Sequence, residues 1–357
     1  PATTPRRREY KTLVLEPGKK AVGAAVMDIE DATVLITGGT GSFGSAFTKK
    51  FLMDFRPKRV IVFSRDEMKQ WEMAKQYGGD SRVRFFIGDV RDRERLYRAV
   101  EGVDIVVHAA ATKIVTTAEY NPFEAVKTNV IGAMNVVDAC IDRGVRRVVA
   151  LSTDKASSPI NLYGATKLAS DKLFISGNHY AGDKQTRFSV VRFGNVMGSR
   201  GSVIPFFLER ARAGGPLPIT DTRMTRFMIT LEDAVGLVLE ALTNMSGGET
   251  YVKKIPTMGI LEVAEAVAPG VDTQVVGIRP GEKLHEQMIG SEEAPLTYEY
   301  EDFYKILPVV NTWDRGADLV GEGKLVEPGF SYASDTNTAR MTIPELQAWL
   351  KQEGLEG

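Results

Sequence analysis

Thr33-Val34-Leu35-Ile36-Thr37-Gly38-Gly39-Thr40-Gly41-Ser42-Phe43-Gly44 joins an apolar run to a glycine-spaced turn, and an amphipathic pattern follows as far as about Met53. The run predicts a buried parallel strand and the pattern a helix. Strand, glycine turn and helix in that order suit a dinucleotide. Glycines at 38, 41 and 44 permit positive φ and let the backbone approach a pyrophosphate, whose charge would sit on the free amides at the helix start. The spacing is Gly-x-x-Gly-x-x-Gly, not the Gly-x-Gly-x-x-Gly of the usual dinucleotide fingerprint. A glycine trio alone would also serve as a structural tight turn; its place between strand and helix favours nucleotide binding.

Outward from this turn, Arg59-Val60-Ile61-Val62-Phe63 predicts a second strand ending in Ser64-Arg65-Asp66, about twenty residues after the last glycine. An acidic residue there serves the ribose 2′-hydroxyl of NAD, whereas an Arg accommodates the 2′-phosphate of NADP. Arg65 points to NADP, and the adjoining Asp66 keeps NAD open. Val83-Arg84-Phe85-Phe86-Ile87 before Gly88-Asp89-Val90, and Asp104-Ile105-Val106-Val107-His108 before Ala109-Ala110-Ala111-Thr112-Lys113, predict two more strands. Small residues there admit a flat ring or a phosphate, Asp89 could accept from an adenine amino group, and His108 reads as a packed histidine at a strand end. A helical pattern from about Pro122 to Asp142 leads to the next strand, and Phe188-Ser189-Val190-Val191-Arg192 makes a sixth. The alternation predicts an α/β fold, a doubly wound parallel sheet of the Rossmann type. Ligands of such sheets bind beyond the carboxyl ends of the strands, where all these candidates fall.

Between the fourth and sixth strands lies Ala150-Leu151-Ser152-Thr153-Asp154-Lys155, then Asn161-Leu162-Tyr163-Gly164-Ala165-Thr166-Lys167. The β-branched Val148-Val149 predicts a buried strand that ends in polar side chains. On a helix, Tyr163 and Lys167 share one face. A nearby ammonium favours the phenolate, so Lys167 would lower the Tyr163 pKa from roughly 10 toward the working pH, as a general base needs. Taken alone, a Tyr and a Lys at this spacing are more commonly an ordinary half-exposed helix pair, and the context decides.

Forty-five basic side chains balance 46 acidic ones, a formal net charge of −1, so no global field favours nucleic acid or an anionic membrane. Cys140 is the single cysteine, which rules out an internal disulfide. His108, His179 and His285 are too scattered for a metal cage, and no metal is expected. No apolar run approaches the ~20 residues of a membrane span and no start resembles a secretory signal, so a soluble, cytoplasmic protein is expected. The 357 residues suit one large α/β domain plus a smaller lobe. Residues 1–30, with Arg6-Arg7-Arg8 and Lys19-Lys20, read as a flexible or partner-packed arm or a basic docking tail. Residues 31–200 read as the NADP-binding domain, and residues 201–357 mainly as a substrate-binding lobe with segments that return to it. Arg223, Arg226 and Arg279 could hold the diphosphate of a nucleotide-linked substrate or simply lie on the surface.

The glycine turn, Asp89, Thr153 and Tyr163-x-x-x-Lys167 together resemble the extended short-chain dehydrogenase/reductase family. Ser152-Thr153-Asp154-Lys155-Ala156, Pro159-Ile160-Asn161-Leu162-Tyr163-Gly164-Ala165-Thr166-Lys167, Thr225-Arg226-Phe227 and Gly277-Ile278-Arg279-Pro280-Gly281-Glu282-Lys283-Leu284-His285-Glu286 narrow the likeness. Over roughly residues 33 to 348 the chain resembles the inverting UDP-N-acetylglucosamine 4,6-dehydratases that begin pseudaminic acid synthesis. Membrane-anchored relatives carry transmembrane helices before the catalytic domain, and this chain resembles the short soluble form. The resemblance implies a homo-oligomer, dimer or hexamer, and a redox-neutral reaction in which NADP borrows a hydride and returns it.

By that resemblance Tyr163, assisted by Thr153 and Lys167, takes the proton of the sugar 4-hydroxyl. Lys155 removes the acidified hydrogen on carbon 5 and Asp154 protonates the departing 6-hydroxyl. Lys155 must then be a neutral amine, its pKa depressed from ~10.4 by burial or neighbouring positive charge. Cofactor contacts are implied for Gly38, Gly41, Ser42, Phe43, Gly44, Ser64, Arg65, Asp66, Lys69, Asp89, Val90, Ala109, Ala110, Ala111, Tyr163, Lys167 and Val196. UDP-sugar contacts are implied for Lys113, Asn195, Ser202, Val203, Arg223, Arg226, Arg279 and Glu282. Retaining dehydratases of the dTDP-glucose type typically have Asp-Glu where this chain has Asp154-Lys155, and simple 4-epimerases lack the acid and base. A retaining dehydratase or a UDP-sugar 4-epimerase is the alternative, and an NADP-binding regulator without turnover a remote one.

Overall fold

Six runs of β-branched and aromatic residues form parallel strands: β1 (Thr33–Thr37), β2 (Arg59–Ser64), β3 (Val83–Ile87), β4 (Ile105–His108), β5 (Arg147–Thr153) and β6 (Arg187–Phe193). The computed structural model describes residues 29–310 and 319–355, so nearly all of the expected N-terminal arm lies outside it. The strands are ordered β3-β2-β1-β4-β5-β6, the doubly wound arrangement expected, with the crossover reversing at β1 and β4. Side chains alternate across the sheet. Val34 and Ile36 join Phe47 and Phe51 of the helix Ser42–Asp54 and Val235 and Val238 of the helix Leu231–Asn244. Leu35 joins the opposite core, with Leu96, Val136 and Phe174 from the helices Arg93–Ala99, Gly132–Arg143 and Leu162–Tyr180. Burial on both faces explains why these strands read as continuous apolar runs.

The chain returns to this sheet after residue 200. Thr250–Lys253 pairs parallel with β6, and three antiparallel strands, Phe303–Ile306, Thr297–Glu299 and Lys324–Leu325, extend the sheet to ten strands. A smaller unit stands beyond the carboxyl ends of the strands. It holds the short strands Asn195–Val196, Thr225–Ile229 and Thr257–Gly259 and the helices Val203–Arg212, Ile260–Val267 and Ile343–Gln352. Phe207, Leu217, Met258 and Leu346 give it a core of its own.

The single helix expected from about Pro122 to Asp142 is interrupted. An α-helical Pro122–Val126 passes into a π-helical Lys127–Ile131 before Gly132–Arg143. Such a widened turn re-aims a side chain, and here it contains Asn129, whose amide bonds both N–H and C=O of Thr112 (2.8 and 3.0 Å) and the Thr166 hydroxyl (3.0 Å). The segment after β4 is thereby tied to the helix of Tyr163. No helix among the described residues is long and apolar enough to cross a membrane.

Candidate active site

The glycine turn is built for close approach. Gly38 adopts φ +66°, where L side chains are strained, and a Cβ there would lie 2.9 Å from Ala110 Cα. A Cβ on Gly44 would meet Gly39 Cα at 2.5 Å, so the first turn of the helix Ser42–Asp54 can lie this close to the preceding loop only with glycine. Its N-cap is Gly41, which offers no side chain to the first amides. Open backbone amides at a helix start, with a cradle that a Cβ would fill, fit the pyrophosphate of a dinucleotide. Phe43 stacks on Phe47 and Phe193 (centroids 6.0 and 6.4 Å), and the Ser42 hydroxyl accepts from the Arg200 amide at 3.3 Å.

At the end of β2, the Ser64 hydroxyl bonds that of Thr40 at 2.7 Å. Asp66 caps the helix Glu67–Gln76, accepting from the Lys69 amide (3.0 Å) and ammonium (2.6 Å), and these bonds hold its carboxyl below the usual range. Arg65 is exposed, its guanidinium 3.7 Å from Asp89, while Asp89 is engaged by Arg91 at 2.7 Å. The Val90 side chain belongs to the core and packs against Gly132. Val196 packs against the β1-side core. After β4, the Ala109 amide donates to the Thr37 carbonyl and that of Ala110 to the Thr37 hydroxyl, which also bonds His108 Nδ1 at 2.8 Å. His108 is the packed histidine expected: burial, with some help from the Lys167 ammonium, pushes it down to about 3.

Beyond β5 the chain makes a short 3₁₀ turn, Asp154–Ala156, and the helix Leu162–Tyr180 starts on Asn161, whose Oδ1 accepts from the Gly164 amide at 2.7 Å. The cap sets Tyr163 and Lys167 on the buried face of the helix, with 8% and 3% exposure. Burial pushes the Tyr163 phenol up to about 12, opposed by the Lys155 ammonium and by a hydrogen bond with Thr153. The expectation that Lys167 supplies the depressing charge is corrected in this respect: the opposing cation is Lys155. Burial lowers Lys167 itself, and Asp171, one turn further on, resists that.

Lys155 Nζ lies 3.1 Å from Asp154 Oδ1 and 3.0 Å from Glu286 Oε1. Burial alone would lower this amine, but the two carboxylates outweigh it and raise the pKa above the ordinary lysine value. The expected depressed Lys155 is therefore also corrected, because its neighbours are negative rather than positive. Asp154 moves the other way from most paired carboxyls. Burial raises it, Glu286 adds to the rise, and its Oδ2 has no partner among the described residues. Thr153 Oγ1 donates to Asp154 Oδ1 at 2.9 Å, linking the phenol to the acid–amine pair.

Of these groups Lys155 opens on a cavity of about 450 Å³, lined also by Asn195, Ser202, Val203, Arg226, Arg279, Glu282, Lys283 and Glu286, among others. Asn195 Oδ1 and Ser202 Oγ are buried there without a partner among the described residues. Arg279 and Glu282 pair with each other at 3.1 Å. Arg226 spends its donors on the carbonyls of Thr225, Leu284 and Lys283 (2.7, 3.1 and 3.1 Å), so it braces the wall. Lys113 Nζ donates to the Arg200 carbonyl at 2.8 Å, and Arg223 is exposed and clamped to Asp221 at 2.7 Å; neither lines the cavity. Sequence reasoning missed Asn129 and Glu286. Glu286 closes the Gly277-to-Glu286 stretch, but nothing local pairs it with Lys155.

The glycine turn on β1 and the Tyr163–Lys167 helix beside β5 define the extended short-chain dehydrogenase/reductase class. Within it, the chain belongs to the family described as polysaccharide biosynthesis protein, which matches residues 34–308. It is 56% identical over 319 residues to the UDP-N-acetylglucosamine 4,6-dehydratase (inverting) of Campylobacter jejuni, covering 88% of this chain and 95% of that protein. Identity to a UDP-glucose 4-epimerase of Rickettsia conorii is 42% over 327 residues, covering 90% and 95%. Among solved structures it is similar to Pen from Bacillus thuringiensis, with TM-score 0.85, 36% identity and coverage of 93% and 100%. DesIV, a dTDP-glucose 4,6-dehydratase from Streptomyces venezuelae solved with NAD and TYD bound, matches with TM-score 0.65, 27% identity and coverage of 71% and 86%.

Proposed function

We propose that the chain is an inverting UDP-N-acetylglucosamine 4,6-dehydratase that uses NADP. The observation that carries the reading is the Lys155–Asp154 contact of 3.1 Å, with Lys155 on the cavity wall and Asp154 buried behind it, beside the Tyr163 helix. A 4-epimerase has no use for an acid and an amine there. Residues 31–200 would serve mainly the dinucleotide and residues 201–357 mainly the sugar nucleotide. Exposed Arg65 supports NADP over NAD, since Asp66 is engaged as a helix cap. Asn195, Ser202 and Arg279 would hold the UDP-sugar. A cytoplasmic homo-oligomer working at the start of pseudaminic acid synthesis is the corresponding cellular reading.

A nicotinamide dinucleotide bound at the glycine turn supplies the hydride acceptor for carbon 4 and the hydride later returned to carbon 6. Tyr163 takes the 4-hydroxyl proton, with Thr153 holding the phenol oxygen. The resulting ketone acidifies the hydrogen on carbon 5. Lys155 takes that proton, its electron pair becomes the carbon 5–carbon 6 double bond, and the carbon 6–oxygen pair leaves as Asp154 donates its proton to form water. The reactive pair, neutral Lys155 with protonated Asp154, differs from the ion pair only by one proton moved across their 3.1 Å contact. Burial of Asp154 favours that shift, and the elimination regenerates the ion pair, so this step draws no net proton from solvent. The enone so formed needs the returned hydride at carbon 6 and a proton, drawn from solvent, at carbon 5; protonation of carbon 5 from the opposite face gives UDP-2-acetamido-2,6-dideoxy-β-L-arabino-hex-4-ulose.

The test is incubation of the purified protein with UDP-N-acetylglucosamine in deuterated water, without added cofactor, followed by NMR. A 4-keto-6-deoxy sugar with inverted, deuterated carbon 5 is expected. A galacto-configured product would establish the second reading, a UDP-sugar 4-epimerase, which the Rickettsia relative's name favours. Retained carbon 5 would indicate a retaining dehydratase, and an untouched sugar a regulator.

A further inference from the structure

Glu286 is a buried carboxylate, 2% exposed, with one oxygen on Lys155 Nζ at 3.0 Å and 3.9 Å from Arg226 Nε. Its second oxygen is buried without a partner among the described residues. Burying a carboxylate so incompletely bonded is costly, and an apolar residue of similar size would serve packing better. Its backbone is clamped on both sides by Ser334, which accepts from its amide at 2.9 Å and donates to its carbonyl at 2.8 Å. The carboxylate is thus held rigidly on the cavity wall, across Lys155 from Asp154.

We propose that Glu286 is a positioning residue for the elimination: it holds the Lys155 amine against Asp154 and supplies the fixed negative charge beside which that pair shares one proton. This deepens the dehydratase reading and rests on it. The other charged and titratable groups facing Lys155 are Asp154 on its own turn, Tyr163 on the following helix, Arg226 on the strand Thr225–Ile229, and Lys283, whose ammonium donates to the Ser157 carbonyl at 2.6 Å. His285 Nδ1 is occupied by the Thr225 hydroxyl at 2.8 Å. Negative charge at Glu286 raises the proton affinity of both Asp154 and Lys155. The active pair carries one proton, so its acid limb is a second protonation and its alkaline limb the loss of the last proton. Removing the charge moves both limbs the same way, toward acid.

The experiment compares E286Q, E286D and the natural protein. In E286Q both limbs of the kcat profile with UDP-N-acetylglucosamine are expected about one pH unit or more lower, with kcat down about 10-fold or more and KM within about two-fold. E286D restores the limb positions, and E286Q in a K155A background costs nothing beyond K155A alone. A purely structural Glu286 would lower amplitude without moving either limb, and losses that multiply in the double variant would also overturn the proposal. A readout independent of turnover is the ¹³Cε NMR titration of Lys155, assigned by its loss in K155A, which E286Q should displace to lower pH. An unmoved titration overturns the proposal whatever the product. A displaced titration in a protein that makes no 4-keto-6-deoxy sugar upholds the Glu286–Lys155 coupling and overturns the dehydratase reading instead.

Discussion

Lys155 Nζ stands 3.1 Å from Oδ1 of Asp154, the residue directly before it, and the tight 3₁₀ turn at the end of β5 puts Lys155 on the cavity wall with Asp154 fully buried behind it. The two should fail differently. Lys155→Ala removes the proposed carbon 5 base, so dehydration is expected to fall ~10²- to 10⁴-fold with no deuterium entering carbon 5. Asp154→Asn keeps the base and loses the acid: turnover falls by a similar factor while carbon 5 of bound sugar still exchanges. NMR in deuterated water separates them, and deuterium at carbon 5 in the alanine variant would exclude Lys155 as the base.

Tyr163 is pushed up to about 12 by burial, and Thr153 is one of two groups that oppose the rise. Thr153→Val removes that hydrogen bond, so the phenol titrates higher still. The rate loss is then a constant factor at every pH well below the phenol's own titration, because the phenolate fraction of both proteins rises tenfold per pH unit there, and it narrows only as pH approaches about 12. Tyr163→Phe, with no proton to lose, should be slow by ~10²-fold or more at every pH. Steady-state pH profiles check this; a valine variant as fast as the natural protein across the range would remove Thr153 from the proton path.

The parallel sheet and the Tyr163–Lys167 face were legible because both follow from short-range pattern: β-branched runs broken by glycine, and a four-residue spacing on one helix. The electrostatics were not legible, since they depend on partners distant in sequence. Glu286 reaches Lys155 only after the strand Thr225–Ile229 and the 277–286 segment have folded over the turn, and its charge joins that of Asp154 in reversing the expected direction for the amine. The π turn at Lys127–Ile131 was hidden for a related reason. Its apolar pattern is that of an ordinary helix, and what it accommodates, Asn129 bonded to Thr112 and Thr166, is tertiary.

Gly164 lies one residue after Tyr163, and a Cβ there would collide with the Lys155 carbonyl. The helix start thus fixes the turn that carries the acid–amine pair. Gly164→Ala must push the turn away, at a cost of about 1–3 kcal/mol. It should lower kcat well beyond any change in nucleotide affinity. Thermal melts, dinucleotide titration and kcat measured together test this, and unchanged kcat in a destabilised protein would show that the turn yields without moving its side chains.

Arg65 reaches toward Asp89 only at 3.7 Å and is otherwise open to solvent, whereas Asp66 is occupied by the Lys69 amide and ammonium. If Arg65 meets a 2′-phosphate, Arg65→Ala should weaken NADP by ~10-fold or more and leave NAD within about two-fold. Calorimetry of both dinucleotides on cofactor-stripped protein measures the ratio. Equal losses for the two would assign Arg65 to a pyrophosphate or surface role.

His108 links the cofactor side of the sheet to the stability of the fold. Its ring is buried against Phe174 (5.1 Å between centroids), bonded through Nδ1 to Thr37, and held neutral down to about 3. The unfolded chain takes up a proton near 6.5, the native one only near 3, so the stabilising difference is fully present above pH 6.5 and is lost as pH falls toward 3. At about 1.4 kcal/mol per pH unit, the loss between pH 6.5 and 4.5 is about 2 to 3 kcal/mol. His108→Asn keeps a partner for the Thr37 hydroxyl but cannot charge, so its urea-unfolding free energy should decline less over that interval by roughly the same amount. The carboxylates titrate alike in both proteins and cancel in the difference. Parallel pH dependences for the two would mean that the imidazole gains its proton in the native state after all, and with it a charge directly behind the Ala109-to-Ala111 backbone.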